Sequence, residues 1–205
     1  MKIILAAVAA FMTANAAQAL PVIVNAGFED PAYSGTFSIP SQGALPGWSV
    51  IAGNVETVDA WTASEGVRSL DLNGVNPGAI SQAISGFDVG ASYRLLFDMG
   101  GNFFQGATSQ TASVTIGGTT QSFTYVKKAT DTSTSFDWDT MTLDFIATGT
   151  SQTLTFSQVS FSPAAGAALD NIRIEALSAV PLPATLPMLL AGLGAFGLAR
   201  RRKQG

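Results

Sequence analysis

Residues 93–99, Y-R-L-L-F-D-M, decide the fold class of this chain. The odd-numbered positions of this stretch are all apolar, while Arg94 and Asp98 occupy even-numbered positions. Alternation at period two is typical of a half-buried β-strand, because successive side chains of a strand point to opposite faces. The stretch therefore predicts a strand whose odd-numbered face covers a core.

The same alternation recurs along the chain. Val114 and Ile116 alternate with polar residues, and Gly117-Gly118 predicts a tight hairpin turn into a strand over 121–126. Further candidate strands lie at 48–51, 55–58, 68–72, 79–84, 141–145, 154–156 and 172–174. With about nine or ten strands and no helical period, the sequence predicts an all-β fold, an antiparallel two-sheet β-sandwich of jelly-roll type.

The N-terminus has the pattern of a secretory signal peptide over residues 1–19. Lys2 precedes an apolar run over 3–12, and small residues follow up to Ala17-Gln18-Ala19. We expect an N-terminal signal helix and cleavage after Ala19, with cleavage after Ala16 as the alternative. A permanent N-terminal membrane helix is disfavoured because the apolar run is short.

The C-terminus, residues 180–205, has the pattern of a membrane-spanning tail. Residues 182–199 carry no charge, and four basic residues follow at 200–203. This length is just below the roughly 20 residues that span a bilayer as a helix. The sequence predicts a short C-terminal transmembrane helix whose basic end stays in the cytoplasm, so that the rest of the chain lies outside. A buried C-terminal helix is the alternative.

The start of this tail carries a recognisable motif, V-P-L-P-A, formed by Val180, Pro181, Leu182, Pro183 and Ala184. The arrangement resembles the PEP-CTERM class of bacterial sorting signals, although the better-known form has Glu where this chain has Leu182. The resemblance implies an exosortase-type membrane protease as a partner, which cuts near the motif. The mature protein would then end near residue 179 and remain at the cell surface or in the extracellular matrix.

We expect residues 20–179 to form one domain, and this part of the chain is strongly acidic. They hold all 14 acidic residues against five basic ones, a net charge of −9. Such a surface repels phosphate backbones, so we expect no nucleic acid partner. The chain has no cysteine and no histidine, which excludes Ser-His-Asp triads, Cys-His pairs and histidine-ligated zinc.

Two distant acidic segments suggest a metal site that joins the first and last strands. Asp170 shares strand parity with Ile172 and Ile174, which predicts that its carboxylate points towards the core. Because a buried carboxylate must be paired, Asn25, Glu29 and Asp170 are candidate ligands of one structural Ca²⁺, helped by backbone carbonyls near residues 25 and 27. Alternatively, Asp170 accepts backbone hydrogen bonds and Glu29 is a solvated turn residue.

Several spaced motifs, L-P-G-W at 45–48, R-S-L-D-L-N-G at 68–74, F-D-W at 136–138 and L-D-N at 169–171, agree in order with a known family. From about residue 25 to 175 the chain resembles the choice-of-anchor C family (the domain of unknown function 642 type) of exported bacterial proteins, which is akin to plant cell-wall proteins with a galactose-binding-like jelly roll. The resemblance implies a non-catalytic sandwich that binds cell-wall or extracellular polysaccharide. It also implies a calcium ion beside the Asn-x-Gly-Phe-Glu stretch and the final strand.

A sugar site needs a flat apolar face for the ring and polar groups for its hydroxyls. The predicted contacts are Trp61, Asn73, Gln82, Asp98, Asn102 and Trp138; Tyr33, Phe103 and Phe104 are further aromatic candidates in loop-like contexts. The alternative for each is a structural role, as we expect for Trp48, which follows Pro-Gly at a strand start.

The sequence leaves two other functions open. One is a structural biofilm or matrix protein that acts through protein–protein contacts. The other, less favoured, is a glycan-active enzyme that uses Asp71 and Asp98, which lie on strands that the sequence allows to be neighbours.

Overall fold

The computed structural model describes residues 20–30, 37–38, 45–160 and 164–177. They form one turn of 3-10 helix at Phe104–Gly106 and eleven strands: β1 (Phe37–Ser38), β2 (Ser49–Ala52), β3 (Glu56–Val58), β4 (Ser69–Asp71), β5 (Ala79–Ser85), β6 (Ser92–Gly101), β7 (Ser109–Ile116), β8 (Thr119–Val126), β9 (Asp139–Ile146), β10 (Ser151–Gln158) and β11 (Ala167–Ala176). Every predicted strand is present, and the two-residue β1 is an addition that alternation does not reveal.

The strands form two antiparallel sheets that pack face to face. The six-stranded sheet has the order β1-β3-β4-β11-β6-β9, and the five-stranded sheet has the order β2-β5-β10-β7-β8. The last strand, β11, therefore lies in the middle of the first sheet, between β4 and β6. The all-β, antiparallel two-sheet sandwich that the sequence predicts is confirmed.

The core lies between the inner faces of the two sheets, where the predicted alternation is obeyed. The odd-numbered residues of β6 from Tyr93 to Met99 are buried. Phe97 on β6 meets Phe156 on β10 edge to face, with ring centroids 5.1 Å apart. Each fully buried side chain of this size stabilises the fold by roughly 1.5–3 kcal/mol. Trp48 is buried against Phe28 and Phe156, as expected for a core residue.

The β7–β8 hairpin confirms the turn predicted at Gly117-Gly118. Ile116 pairs with Thr119, and the two glycines between them have φ angles of 59° and 78°. Positive φ at both central residues is the requirement of a type I′ turn, which glycine meets without a steric penalty. The local sequence thus sets the register of the whole hairpin.

The prediction that Asp170 points into the core is wrong, because a β-bulge interrupts β11. Asp170 pairs with Asp98 and Arg173 pairs with Leu96, so three steps on β11 match two on β6. Asn171 supplies the extra residue in a left-handed conformation, with φ 49°. The bulge moves Asp170 to the outer face of the six-stranded sheet, while Ile172 stays in the core. Asp170 is nevertheless completely buried.

The two predicted terminal segments, the signal helix over 1–19 and the transmembrane helix within 180–205, lie outside the described residues. Within the ranges that the structure does describe, no helix is long and apolar enough to cross a membrane.

Candidate functional site

A cavity of about 330 Å³ opens above the outer face of the six-stranded sheet. It is lined by Glu56, Trp61, Asn102, Phe104, Ser133 and Ala164. These residues come from β3 and from the loops that follow β3, β6, β8 and β10. The cavity therefore depends on loops that must be held in place over the sheet.

Glu56, which lines the cavity, belongs to a pair of acidic residues on the sheet. Glu56 on β3 pairs directly with Asp71 on β4, so both side chains lie on the same outer face. Asp71 is fully buried; its carboxylate accepts the Asn73 backbone N–H at 2.8 Å and the Asn102 amide at 2.9 Å. Burial raises the pKa of Asp71 to about 7 and also raises the pKa of Glu56. This face of the sheet is thus sensitive to pH near neutrality.

Loop 59–67 forms one wall and carries Trp61. The Trp61 indole N–H donates to Ser69 Oγ at 2.7 Å, and its ring packs against Phe136 with centroids 5.4 Å apart. Trp138 packs on Phe136 in turn, at 5.0 Å, and donates to the backbone carbonyl of residue 62 at 3.0 Å. A Cβ built at Gly100 would overlap the Phe136 ring, so a glycine at this position of β6 makes room for the cluster.

Two acidic residues predicted as metal ligands anchor this loop. Asp170 Oδ2 accepts the backbone N–H groups of residues 64 and 65 at 2.8 and 2.9 Å. Glu29 Oε1 accepts those of residues 67 and 68 at 2.7 and 2.8 Å. Burial raises the pKa of Asp170 to about 7, against the effect of its backbone hydrogen bonds. Asp170 therefore accepts backbone hydrogen bonds, as the alternative to a metal site predicted. Glu29 also accepts them, so it is more than a solvated turn residue.

Asp98 also holds the loop rather than facing the cavity. Its carboxylate accepts hydrogen bonds from the Ser64 hydroxyl at 2.5 Å, the Thr140 hydroxyl at 2.7 Å and the Asn171 amide at 3.0 Å. Partial burial alone would raise the pKa of Asp98, but these hydrogen bonds outweigh it and hold the pKa below its usual value.

The expectation that Asp71 and Asp98 lie on neighbouring strands is wrong. Strand β11 lies between β4 and β6, and Asp71 pairs with Ala168 while Asp98 pairs with Asp170. The acidic neighbour of Asp71 is Glu56 instead. Because sheet order is set by contacts distant in sequence, local alternation does not distinguish these arrangements.

The remaining walls are positioned by polar networks. Asn102 donates to Asp71 and to the carbonyl of Ala164 at 3.2 Å, and its amide oxygen accepts the Phe104 N–H at 2.9 Å. The Tyr125 hydroxyl lies 3.0 Å from Asp131 Oδ2 and 2.5 Å from the backbone carbonyl of residue 137, which fixes the 127–138 loop. Both networks hold residues that line the cavity.

Of the six predicted sugar contacts, only Trp61 and Asn102 line the cavity. Trp138 supports Trp61 through Phe136. Asn73 is buried and donates to the carbonyl of Ala165 at 3.1 Å. Gln82 lies on the five-stranded sheet and bonds to the backbone of Val24.

Among the further aromatic candidates, Phe104 lines the cavity and is 55% exposed, while Phe103 is buried. Tyr33 lies outside the described residues. Three residues that line the cavity were not predicted from the sequence: Glu56, Ser133 and Ala164. Only Glu56 gave a signal, a charge within a short apolar strand.

The acidic side chains that approach Gly27 differ from the predicted calcium ligands. Asn25 is engaged elsewhere: its side chain bonds to the backbone of Asp30, and its carbonyl accepts the N–H groups of Phe28 and the Trp48 indole. A Cβ built at Gly27 would lie within 4 Å of atoms of Glu29, Glu65 and Asp170, so three acidic side chains approach one small volume. Across the described ranges, no group of three or more acidic side chains is arranged to hold an ion as it stands. Calcium binding by Asn25, Glu29 and Asp170 stays a prediction.

The fold is similar to those of solved β-sandwich structures. TmCBM61, in complex with beta-1,4-galactotriose, is 16% identical, with a TM-score of 0.50 over 78% of this chain and all of that one. A family 35 carbohydrate binding module from Clostridium thermocellum is 13% identical, with a TM-score of 0.47 over 70% of this chain and all of that one. The similarity to TmCBM61 shows a shared galactose-binding-like jelly-roll fold.

The chain belongs to the DUF642 family of proteins of unknown function, whose model matches residues 21–175. Residues 179–203 match the PEP-CTERM protein-sorting motif. Both resemblances drawn from the sequence are thereby confirmed. Halomucin from Haloquadratum walsbyi is 31% identical over 182 residues, which cover 84% of this chain but only 2% of Halomucin.

Proposed function

We propose that this protein is an exported, non-catalytic module that binds polysaccharide in the cavity above the six-stranded sheet. The observation that carries the proposal is the lining of the cavity, where two aromatic side chains meet amide, hydroxyl and carboxyl groups. Sugar rings bind to aromatic faces, and their hydroxyls need a few well-placed polar partners. The carbohydrate-binding fold shared with TmCBM61 agrees with this function.

The lining residues differ in what they offer to a ligand. Phe104 is 55% exposed and presents its ring, whereas Trp61 is only 4% exposed and contributes an edge of the wall. Asn102 is occupied with Asp71 and the backbone, so it orients the site. Glu56 and Ser133 are therefore the polar groups that we expect to contact sugar hydroxyls.

The arrangement of Glu56 and Asp71 supports binding rather than hydrolysis. Glycoside hydrolysis requires two carboxyl groups that both reach the scissile bond. Asp71 is fully buried and its two oxygens accept hydrogen bonds from the protein, so only Glu56 of this pair lines the cavity.

A glycan array followed by titration of the best-binding oligosaccharide tests the proposal. Phe104→Ala should weaken binding about tenfold, because a lost aromatic contact is worth on the order of 1 kcal/mol or more. Ile51→Ala is the matched control, since Ile51 is 56% exposed on the other sheet. An array on which the protein binds no glycan, or equal weakening of binding by the two substitutions, would contradict a sugar site in this cavity.

We also propose that residues 180–205 act as a removable sorting tail on a domain that spans residues 20–179. The sorting motif at 179–203 begins three residues after the end of β11, which supports this division. Deleting residues 181–205 should leave a folded domain that is released from the cell envelope. Aggregation of the truncated chain, measured by light scattering, would mean that the tail is part of the fold.

Calcium binding by Glu29, Glu65 and Asp170 is a further part of this proposal. A cation would offset the repulsion among three acidic groups beside Gly27 and stabilise loop 59–67. Chelation with EDTA should then lower the melting temperature of the wild type, because a ligand of the folded state stabilises it. The shift should be much smaller in Glu65→Gln. An unchanged melting temperature in the wild type would argue against the ion.

A further inference from the structure

The five-stranded sheet is free of charge, in a domain that is otherwise strongly acidic. None of the residues in β2, β5, β7, β8 and β10 is charged. Its outer face is built of small residues, mostly serine and threonine; one row crosses all five strands through Ser49, Ser81, Thr155, Thr115 and Thr120. A second copy can therefore approach this sheet without meeting the acidic residues that crowd the other one.

Three of the four sheet edges carry features that discourage pairing with another strand. Edge strand β1 has two residues, and β2 has four with a register shift between Val50 and Ala52. Edge strand β9 includes Asp139 and Asp144, of which Asp144 pairs with Arg94. Short strands, bulges and charges are the devices by which natural proteins block edge-to-edge association.

The fourth edge, β8, has none of these devices. Its eight residues, T-T-Q-S-F-T-Y-V, include no charge and no proline, and they pair with β7 in one regular register. Because alternate residues of an edge strand point their N–H and C=O groups away from the neighbouring strand, β8 offers a row of backbone partners. Within the described residues, no strand pairs with its outer side.

We infer that β8 pairs antiparallel with β8 of a second copy of this chain, joining two five-stranded sheets into one of ten strands. An antiparallel pair of identical strands has two-fold symmetry, as most homodimers do. An axis at Ser122 sets Thr120 of one copy opposite Thr124 of its partner and continues the hydroxyl-bearing face. The basic residue Lys127 then faces the Gly117 turn of the other copy, so the two Lys127 side chains do not lie opposite each other. This self-association is independent of the sugar site, which lies on the other sheet.

The natural absence of cysteine allows a direct test with the full chain, purified in mild detergent. In Ser122→Cys, oxidation should give a reducible dimer, because residues opposite each other in an antiparallel pair lie within the Cα separation of a disulfide. Thr120→Cys and Thr124→Cys place a cysteine two residues to either side of the axis. Thr153→Cys is the matched control, an exposed outer-face position on the interior strand β10.

A charge substitution supplies a second measurement. Ser122→Lys should raise the dimer dissociation constant at least tenfold in sedimentation equilibrium, since it sets like charges opposite each other, while Thr153→Lys should leave it unchanged. The inference is overturned if none of the three β8 cysteines gives a dimer, or if Thr153→Cys gives one equally well. A wild-type chain that sediments as a monomer at every concentration overturns it as well.

Discussion

The two outer faces of this sandwich differ in nearly every physical property. The outer face of the six-stranded sheet carries buried acidic groups, among them Asp71 and Asp170, and is covered by loops. The outer face of the five-stranded sheet is uncharged and open, with exposed residues such as Thr153 and Ser122 along its strands. The comparison shows that charge is concentrated where the loops of the cavity must be held.

This difference has a simple electrostatic origin. A buried carboxylate is costly unless donors satisfy it, and the backbone N–H groups of loop 59–67 are such donors for Asp170 and Glu29. The loop and the acidic residues therefore order each other. The five-stranded sheet has no such groups and needs no covering loops, which leaves its surface available for another molecule.

The largest expected effect is a pH dependence of stability that comes from the acidic face. Asp71 has a pKa of about 7 in the folded chain against 3.8 for an ordinary aspartate. Because the folded state holds this proton more tightly, the contribution of Asp71 to stability is fully present below pH 3.8 and falls as the pH rises towards 7, by on the order of 4 kcal/mol. In EDTA, where no cation can hold it, Asp170 adds a similar fall. In Asp71→Asn, the slope of the unfolding free energy between pH 4 and 7 should be about halved.

A second aspartate-to-asparagine substitution on the same sheet provides the control for this pH effect. Asp144→Asn removes an exposed carboxylate, paired with Arg94, whose pKa lies below its usual value. The slope between pH 5 and 7 should therefore keep its wild-type value in urea titrations at each pH. A wild-type stability that rises over this range would contradict the buried, proton-binding role of Asp71.

A smaller loss is expected when a loop anchor is removed. Glu29→Ala leaves the two N–H groups of residues 67 and 68 without their acceptor, which should cost about 1–3 kcal/mol in the unfolding free energy. Oligosaccharide binding should also weaken, because loop 59–67 carries Trp61. Asp30→Ala, at the exposed neighbouring position, should stay within about 0.5 kcal/mol. Equal losses in the two variants would show that Glu29 is not an anchor.

The smallest effect is expected on the neutral face. The hydroxyls of Thr115 and Thr120 lie 2.9 Å apart across β7 and β8 in an exposed position. Thr115→Val removes this pair while keeping a β-branched side chain, and should cost less than about 1 kcal/mol at any pH. A loss that varies with pH would contradict the electrostatic distinction between the two faces.

Local patterns sufficed to predict most of the fold. Alternation at period two identified every strand longer than two residues, and Gly117-Gly118 identified the hairpin turn, because both signals depend on neighbouring residues. The β11 bulge at Asn171 was not predicted, since no glycine marks its left-handed conformation. One unforeseen residue was enough to move Asp170 to the opposite face of its sheet.

The candidate site was less predictable because its contacts join distant parts of the chain. Asp170 binds the N–H group of a residue 105 positions earlier, and Asn102 reaches Asp71 across 31 positions. The sequence correctly indicated that the Asp170 carboxylate needs a partner. It did not show that the partners are a loop, nor that Glu56 and Ser133 would meet at the cavity.

Hydrogen exchange with and without the oligosaccharide selected on the array tests the central claim most directly. Bound sugar should slow exchange in residues 56–61, 102–106 and 132–135, which surround the cavity. Strands of the five-stranded sheet should exchange at the same rate in both samples. Protection confined to the five-stranded sheet, or none around the cavity, would contradict the assignment of the ligand site to the acidic face.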